Sequence, residues 1–80
     1  MRFTQHALDV MNERAIDPAW VELTVFDPHW QEVDRNDPEV LRRFRAIPER
    51  DGRYLRVALV ETSTEIRILS AFLDRRARPR

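Results

Sequence analysis

Apolar residues near the start of the chain follow the spacing of one face of a helix. After Thr4 they recur at intervals of three or four positions: Ala7, Leu8, Met11 and Ala15. Thr4 is suited to the N-cap, because its hydroxyl can accept a bond from a free backbone N–H of the first turn. This pattern predicts a helix over residues 5–15.

A second helix is predicted directly after the first. Asp17 and Pro18 combine an N-cap with a first-turn proline, and Asp27-Pro28 gives a stop signal. The intervening residues are largely apolar: Trp20, Val21, Leu23, Thr24 and Phe26. Because the connection between the helices is so short, we expect a helical hairpin whose apolar faces share one cover.

The spacing changes to a period of two in the second half of the chain, which is typical of strands. Alternation over 53–60 and 65–73 predicts two strands, and 61–64 is the expected tight turn between them. In the second strand we expect one face to carry Ile66, Ile68, Ser70 and Phe72. These two strands predict an antiparallel hairpin.

Two further strands are predicted upstream of this hairpin. Residues 40–47 suit a third strand, and Asp51-Gly52 marks the turn that follows it. A shorter strand is expected over 30–35. The predicted fold is therefore α+β, with a two-helix hairpin packed on one face of a three- to four-stranded antiparallel sheet.

The length of 80 residues and the absence of a long linker predict one domain over 1–80, with 75–80 as a basic, flexible tail. A domain this short buries about 60% of its unfolded surface, so we expect a stabilising dimer or partner. The predicted core combines the helical and alternating apolar positions: Leu8, Met11, Val21, Leu23, Phe26, Leu55, Val57, Leu59, Ile66 and Ile68.

Composition narrows the range of functions. The chain has no cysteine, which excludes a disulfide framework and a thiol nucleophile. Neither a leader-like start nor a spanning apolar run is found, so we expect a cytoplasmic protein that does not enter a membrane. His6 and His29 are far apart and match no metal-ligand spacing, so no metal or cofactor is expected.

The net charge of zero hides a strong asymmetry along the chain. Residues 1–40 hold three arginines and nine acids, whereas residues 41–80 hold eleven arginines and five acids. Every cationic side chain is arginine, which pairs bidentately with carboxylate or phosphate. A genomic preference for arginine codons would produce the same composition.

The arginines are the strongest candidates for chemistry. If Leu55 and the apolar residues that alternate with it face the helices, Arg56 and Tyr54 point to the opposite face of the sheet. Neighbouring arginines would join them there and make this face basic. The candidates for that face are Arg43, Arg45 and Arg67. Such a face suits RNA phosphates. The alternative is a solvated face on which arginines pair with Glu61 and Glu65.

Three segments of the chain stand out: Phe3-Thr-Gln-His6-Ala-Leu-Asp-Val-Met-Asn-Glu-Arg14-Ala-Ile16, Gly52-Arg-Tyr-Leu-Arg-Val57 and Ile68-Leu-Ser-Ala-Phe-Leu-Asp-Arg75-Arg. They resemble a family of short, mostly bacterial proteins catalogued as a domain of unknown function. The family pattern usually has glycine where this chain has Ala15, so we expect a less sharp end to the first helix. That family in turn resembles the RelE/ParE-type toxins of bacterial toxin and antitoxin pairs.

The resemblance implies a metal-free ribonuclease with an antitoxin-like protein partner and RNA as substrate. It implies catalytic roles for His6, Arg14 and Arg56, and substrate-binding roles for Arg53, Tyr54 and Arg75. His6 has an alternative, structural role as a locally bonded histidine at the start of the helix, and His29 is expected in an exposed loop. The competing function is a non-enzymatic module that binds a protein or forms a homodimer on the same scaffold.

Overall fold

The computed structural model describes residues 1–79 and has an α+β fold, as predicted. The elements in chain order are β1 (Arg2–Phe3), α1 (Gln5–Glu13), α2 (Pro18–Phe26), β2 (Trp30–Val33), β3 (Leu41–Ile47), a short 3-10 helix (Pro48–Arg50), β4 (Arg53–Glu61) and β5 (Ile66–Asp74). The five strands form one sheet in the order β1-β5-β4-β3-β2, mostly antiparallel. The sheet has one strand more than predicted, because Arg2 and Phe3 pair in parallel with β5.

Both helices begin at the predicted caps. The hydroxyl of Thr4 accepts a bond from the backbone N–H of Ala7 at 3.1 Å, and the carboxylate of Asp17 accepts one from Ala19 at 2.8 Å. Pro18 occupies the first turn of α2, where its missing N–H costs nothing.

The first helix ends earlier and more sharply than predicted. Its last helical residue is Glu13, and Ala15 adopts a left-handed backbone with φ 52°. The N–H of Ile16 donates to the carbonyl of Met11 at 2.9 Å, and the N–H of Ala15 donates to the carbonyl of Asn12 at 3.4 Å. This is the glycine-type Schellman ending, formed here with an alanine in the strained position.

The core lies between the helices and the sheet, where α1 packs on β5 and α2 packs on β3 and β4. Six of the ten predicted core residues are buried: Met11, Val21, Leu55, Val57, Leu59 and Ile68. Ile66 packs against them from the rim. The prediction was wrong for Leu8, Leu23 and Phe26, which are 45%, 44% and 62% exposed.

The second helix explains two of these errors. It is apolar almost all the way round, so the sequence does not define its inward face. The structure buries Val21, Thr24 and Val25 instead, and this rotates Leu23 and Phe26 towards solvent. Thr24 remains satisfied in the core because its hydroxyl donates to the carbonyl of Trp20 at 2.8 Å.

A β-bulge changes which side of β5 faces the helices. Leu59 pairs with Ile68, but Ala58 pairs with Ser70, so Leu69 is an extra residue on β5. The side chains beyond the bulge therefore change faces. The predicted shared face of Ile68 and Phe72 is wrong, because Phe72 lies opposite Arg56 on the far side of the sheet.

Candidate functional site

The sheet has an open face, directed away from both helices, on which Arg56 is the central charged residue. Its cross-strand neighbours are Phe44 on β3 and Phe72 on β5. The alternation of β4 places Leu55 and Val57 on the helix side, as the sequence predicts, and so turns Arg56 to the open face.

Two of the arginines expected on the open face lie on the other side of the sheet. Arg43 pairs with Val57, and its Nη1 donates to the carbonyl of Val25 at 3.0 Å. Arg45 donates to the carbonyl of Asp27 and forms an ion pair with its carboxylate at 3.2 Å. Both side chains bind the C-terminal end of α2, where helix carbonyls lack partners and favour cations.

Arg56 is held by an aromatic ring and a carboxylate. Its guanidinium carbon lies 4.0 Å from the centroid of the Phe72 ring, and its Nη1 lies 3.3 Å from Oδ2 of Asp74. Burial lowers the pKa of Arg56, repulsion from Arg42 lowers it further, and Asp74 acts in the opposite direction. Arginine stays charged at any physiological pH, so an additional anion bound beside Arg56 would stabilise the guanidinium charge.

Asp74 also fixes the chain that follows β5. Its Oδ1 accepts a bond from the backbone N–H of Arg76 at 2.9 Å, and the N–H of Ala77 lies 3.3 Å from its carbonyl. Ala77 is only 7% exposed. Four residues of the segment predicted as a tail contribute side chains to the same region as Arg56: Arg75, Arg76, Arg78 and Pro79.

A large groove of about 770 Å³ opens on this face. Its wall contains the rings of Phe44 and Phe72 and the carboxylates of Glu32 and Asp74. The arginines that line it are Arg35, Arg42, Arg56, Arg75, Arg76 and Arg78. Arg42 is held by Asp34, whose Oδ1 accepts a bond from its Nε at 2.9 Å.

A small groove of about 390 Å³ adjoins the large one and shares Phe72, Leu73 and Arg75 with it. Its arginines are Arg14, Arg50, Arg53 and Arg75. Arg14 extends from the end of α1, and its guanidinium carbon lies 5.6 Å from the centroid of the Phe72 ring. Phe72 is therefore contacted by one arginine from each groove.

The two grooves concentrate positive charge in a chain that has none overall. Together they are lined by nine arginines and two carboxylates, and Asp34 neutralises Arg42 from outside the lining, so the local charge is +6 against a net charge of zero. Within residues 1–79, only Arg42 and Arg56 of these nine form an ion pair with a carboxylate. Clustered, unneutralised guanidinium groups repel one another, so an anion bound here lowers the electrostatic free energy.

The predicted site residues are divided by the fold. Arg14, Arg53 and Arg75 line the small groove, while Arg56 and Arg75 line the large one. His6 is exposed near the start of α1 and lines neither groove. It lies eight residues before Arg14, roughly 12 Å away along the helix axis.

Tyr54 belongs to an aromatic cluster beside the large groove. Its ring makes edge contacts with His29 at 6.4 Å and with Trp30 at 5.0 Å between centroids. Trp30 stacks on Phe44 at 4.6 Å, and this stacking leaves Phe44 only 3% exposed although it lies on the open face. Nδ1 of His29 accepts a bond from the backbone N–H of Ala46 at 3.3 Å.

The sequence did not identify Phe72, Asp74 or Arg50 as members of the site. No local signal points to Phe72, because both alternating sets in β5 are apolar and only the bulge at Leu69 decides between them. Arg50 ends the 3-10 helix and lies close to the end of α1, where its Nη1 donates to the carbonyl of Ala15. Its position directly before the predicted Asp51 turn is a sequence signal that could have identified it.

Among residues 1–79, no group of three His, Cys, Asp or Glu side chains is arranged to hold a metal ion. No helix in that part of the chain has the length and apolarity needed to cross a membrane.

The fold and the site define a small α+β protein with an arginine-lined sheet face. The family model described as Domain of unknown function (DUF4258) matches residues 3–72, and the chain belongs to this family. No curated protein and no solved structure matches the chain. The family match covers β1 to most of β5, so Arg14, Arg53, Arg56 and Phe72 fall within it and Arg75 falls just outside.

Proposed function

We propose that the chain is a cytoplasmic RNA-binding protein whose arginine grooves hold backbone phosphates. The observation that carries this proposal is the cluster of nine arginines, seven of them without a carboxylate partner in residues 1–79. Guanidinium groups bind phosphate through two parallel hydrogen bonds, and arginine is the preferred residue for that contact.

The aromatic cluster favours RNA over a small anion. Tyr54 and Trp30 are only half-buried and lie on the same sheet face as Arg56. Unpaired bases stack on such rings, and basic grooves with neighbouring aromatic rings are typical of single-stranded nucleic-acid sites.

Fluorescence anisotropy with a labelled twelve-nucleotide single-stranded RNA tests this proposal. Arg75→Ala should weaken binding at least tenfold, because Arg75 lines both grooves. Arg2→Ala is the matched control: it removes the same charge from an exposed β1 position that lines neither groove. Equal losses in the two variants would indicate non-specific charge attraction and contradict the proposal.

A RelE-type ribonuclease is the finer candidate, favoured by the approach of Arg14 and Arg56 to one ring. In that reaction they would stabilise the charge on the phosphate as the 2′-hydroxyl attacks and the 5′-oxygen leaves. A base must also accept the 2′-hydroxyl proton, and an acid must protonate the leaving 5′-oxygen. His6 is remote from both grooves, and Nδ1 of His29 already accepts a backbone bond, so the geometry supports binding better than cleavage.

Incubation of the RNA with the purified chain in EDTA separates the two candidates. We expect the RNA to be recovered intact by denaturing gel electrophoresis. Cleavage that Arg56→Ala abolishes while the circular dichroism spectrum is unchanged would instead establish the ribonuclease. Under that outcome His6→Ala tests whether the first histidine takes part.

A protein-binding module is the second candidate function, favoured by apolar side chains exposed on the helix side. Leu23 and Phe26 line a groove of about 440 Å³ there, and Leu8 is exposed on α1. An antitoxin-like partner or a second copy of the chain would cover these residues. A homodimer in light scattering at micromolar concentration, dissociated by Phe26→Glu, would support this function.

A further inference from the structure

The two arginine grooves meet at a common wall, formed by Phe72, Leu73 and Arg75. Phe72 is contacted from the large groove by Arg56 at 4.0 Å and from the small groove by Arg14 at 5.6 Å. Among residues 1–79, the small groove has no acidic lining residue. A ligand that passes this wall from the large groove therefore enters a groove lined by arginines and apolar side chains.

The grooves lie on different sides of the sheet. Arg56 points to the open face, whereas Arg53 belongs to the set of alternating β4 residues on the helix side, with Leu55. Arg14 comes from the helix layer itself. β5 is the outermost strand at Phe72, because β1 pairs only with Arg67 and Ile68. The path between the grooves thus turns round an edge of the sheet.

We propose that the two grooves are successive phosphate sites for one flexible single-stranded nucleic acid, which bends round the sheet edge at Phe72 with Arg75 shared by both sites. This inference rests on the RNA-binding function proposed above and adds the form and minimum length of the ligand. The volumes of about 770 and 390 Å³ each fall within the range of small-molecule sites, so a mononucleotide would occupy one groove only.

The turn round the edge excludes a double helix as the ligand of both grooves. The domain measures 33 × 29 × 22 Å along its principal axes. Duplex DNA has a persistence length of about 50 nm, so bending one round so small a body is costly, whereas a single strand turns freely.

A length series of single-stranded RNA tests this inference by competition against a labelled octanucleotide. Wild-type affinity should rise at least tenfold between a dinucleotide and an octanucleotide. Arg53→Ala, which alters the small groove, should weaken octanucleotide binding at least tenfold and dinucleotide binding less than threefold. Arg2→Ala, which removes an exposed arginine outside both grooves, should change both less than threefold, and a duplex octamer should compete at least tenfold less well than the single strand.

The outcomes distinguish this inference from the proposed function. If Arg53→Ala binds the octanucleotide as wild type does while Arg75→Ala loses binding, RNA lies in the large groove alone and the two-groove path is wrong. If the duplex competes as well as the single strand, the bend round the edge is wrong. If wild type binds no RNA of any length, the RNA-binding function itself fails.

Discussion

The guanidinium carbon of Arg56 lies 4.0 Å from the centroid of the Phe72 ring, across a pair of strands whose register is shifted by a bulge. If Leu69 paired regularly with Ala58 instead of forming the bulge, Arg56 would lie opposite Ala71 and Phe72 would face the helices. The contact places the Arg56 guanidinium against the ring that separates the two grooves.

Arg56→Lys should destabilise the fold by about 1 kcal/mol, because an ammonium group cannot stack on Phe72 and bond Asp74 with the same planar geometry. Urea unfolding at neutral pH measures the change. Arg67→Lys, at an exposed position on β5, is the control and should change the free energy of unfolding by less than about 0.5 kcal/mol. Equal effects would show that the stacking contact contributes little.

Ala15→Gly should stabilise the chain by about 1 kcal/mol. Ala15 has φ 52°, a conformation that costs an L-residue with a Cβ about 1–2 kcal/mol but costs glycine little. Part of the gain is lost to the greater freedom of glycine in the unfolded chain. A lower melting temperature for this variant would contradict the Schellman ending of α1.

Leu55→Ala and Leu23→Ala make the same chemical change in opposite environments. Leu55 is fully buried, so its loss should cost about 2–5 kcal/mol, enough to unfold much of a small domain. Leu23 is 44% exposed on a helix, where alanine has the better propensity, so its loss should cost less than about 1 kcal/mol. Chemical denaturation ranks the two, and a reversed order would contradict the orientation of α2.

Asp34 should make stability depend on acid pH. The backbone N–H of Asn36, followed by the side chain of Arg42, lowers the pKa of Asp34 below its ordinary value of 3.8. The ionised form therefore stabilises the fold above that value, and the contribution is lost as the pH falls through the lowered pKa. Asp34→Asn should remove this part of the acid sensitivity in unfolding measured from pH 5 downwards. An unchanged pH dependence would contradict it.

Local signals in the sequence were sufficient for both helices and for four of the five strands. Thr4 and Asp17 each offer a side-chain oxygen to a free N–H, and this chemistry fixes the helix starts without help from the rest of the fold. The strand β1 escaped prediction because two residues carry no period, and Arg2-Phe3 becomes a strand only through its pairing with β5.

The site was harder to predict than the fold, because its members meet through the tertiary structure. Arg53 and Arg75 were expected to bind substrate, and they do line a common groove with Arg14. The contacts of Arg43 could not be predicted from the alternation of residues along the strand. Arg43 lies on the helix side of the sheet with Val57, but its long side chain extends to the C-terminal end of α2, so its guanidinium is not left unpaired in the core. His6 was included through the family resemblance. It lies in the first turn of α1, whereas Arg14 lies at the end of that helix, so His6 is remote from the arginine grooves.

The salt dependence of RNA affinity tests the central claim, that the arginine grooves bind phosphates, most directly. Each neutralised phosphate on a single strand contributes about −0.7 to the slope of log affinity against log salt concentration. Phosphates in both grooves require at least two such contacts, so we expect a slope of about −1.4 or steeper for a twelve-nucleotide RNA, reduced in magnitude by about 0.7 in Arg75→Ala. A slope near zero, or one that Arg75→Ala leaves unchanged, would contradict the claim.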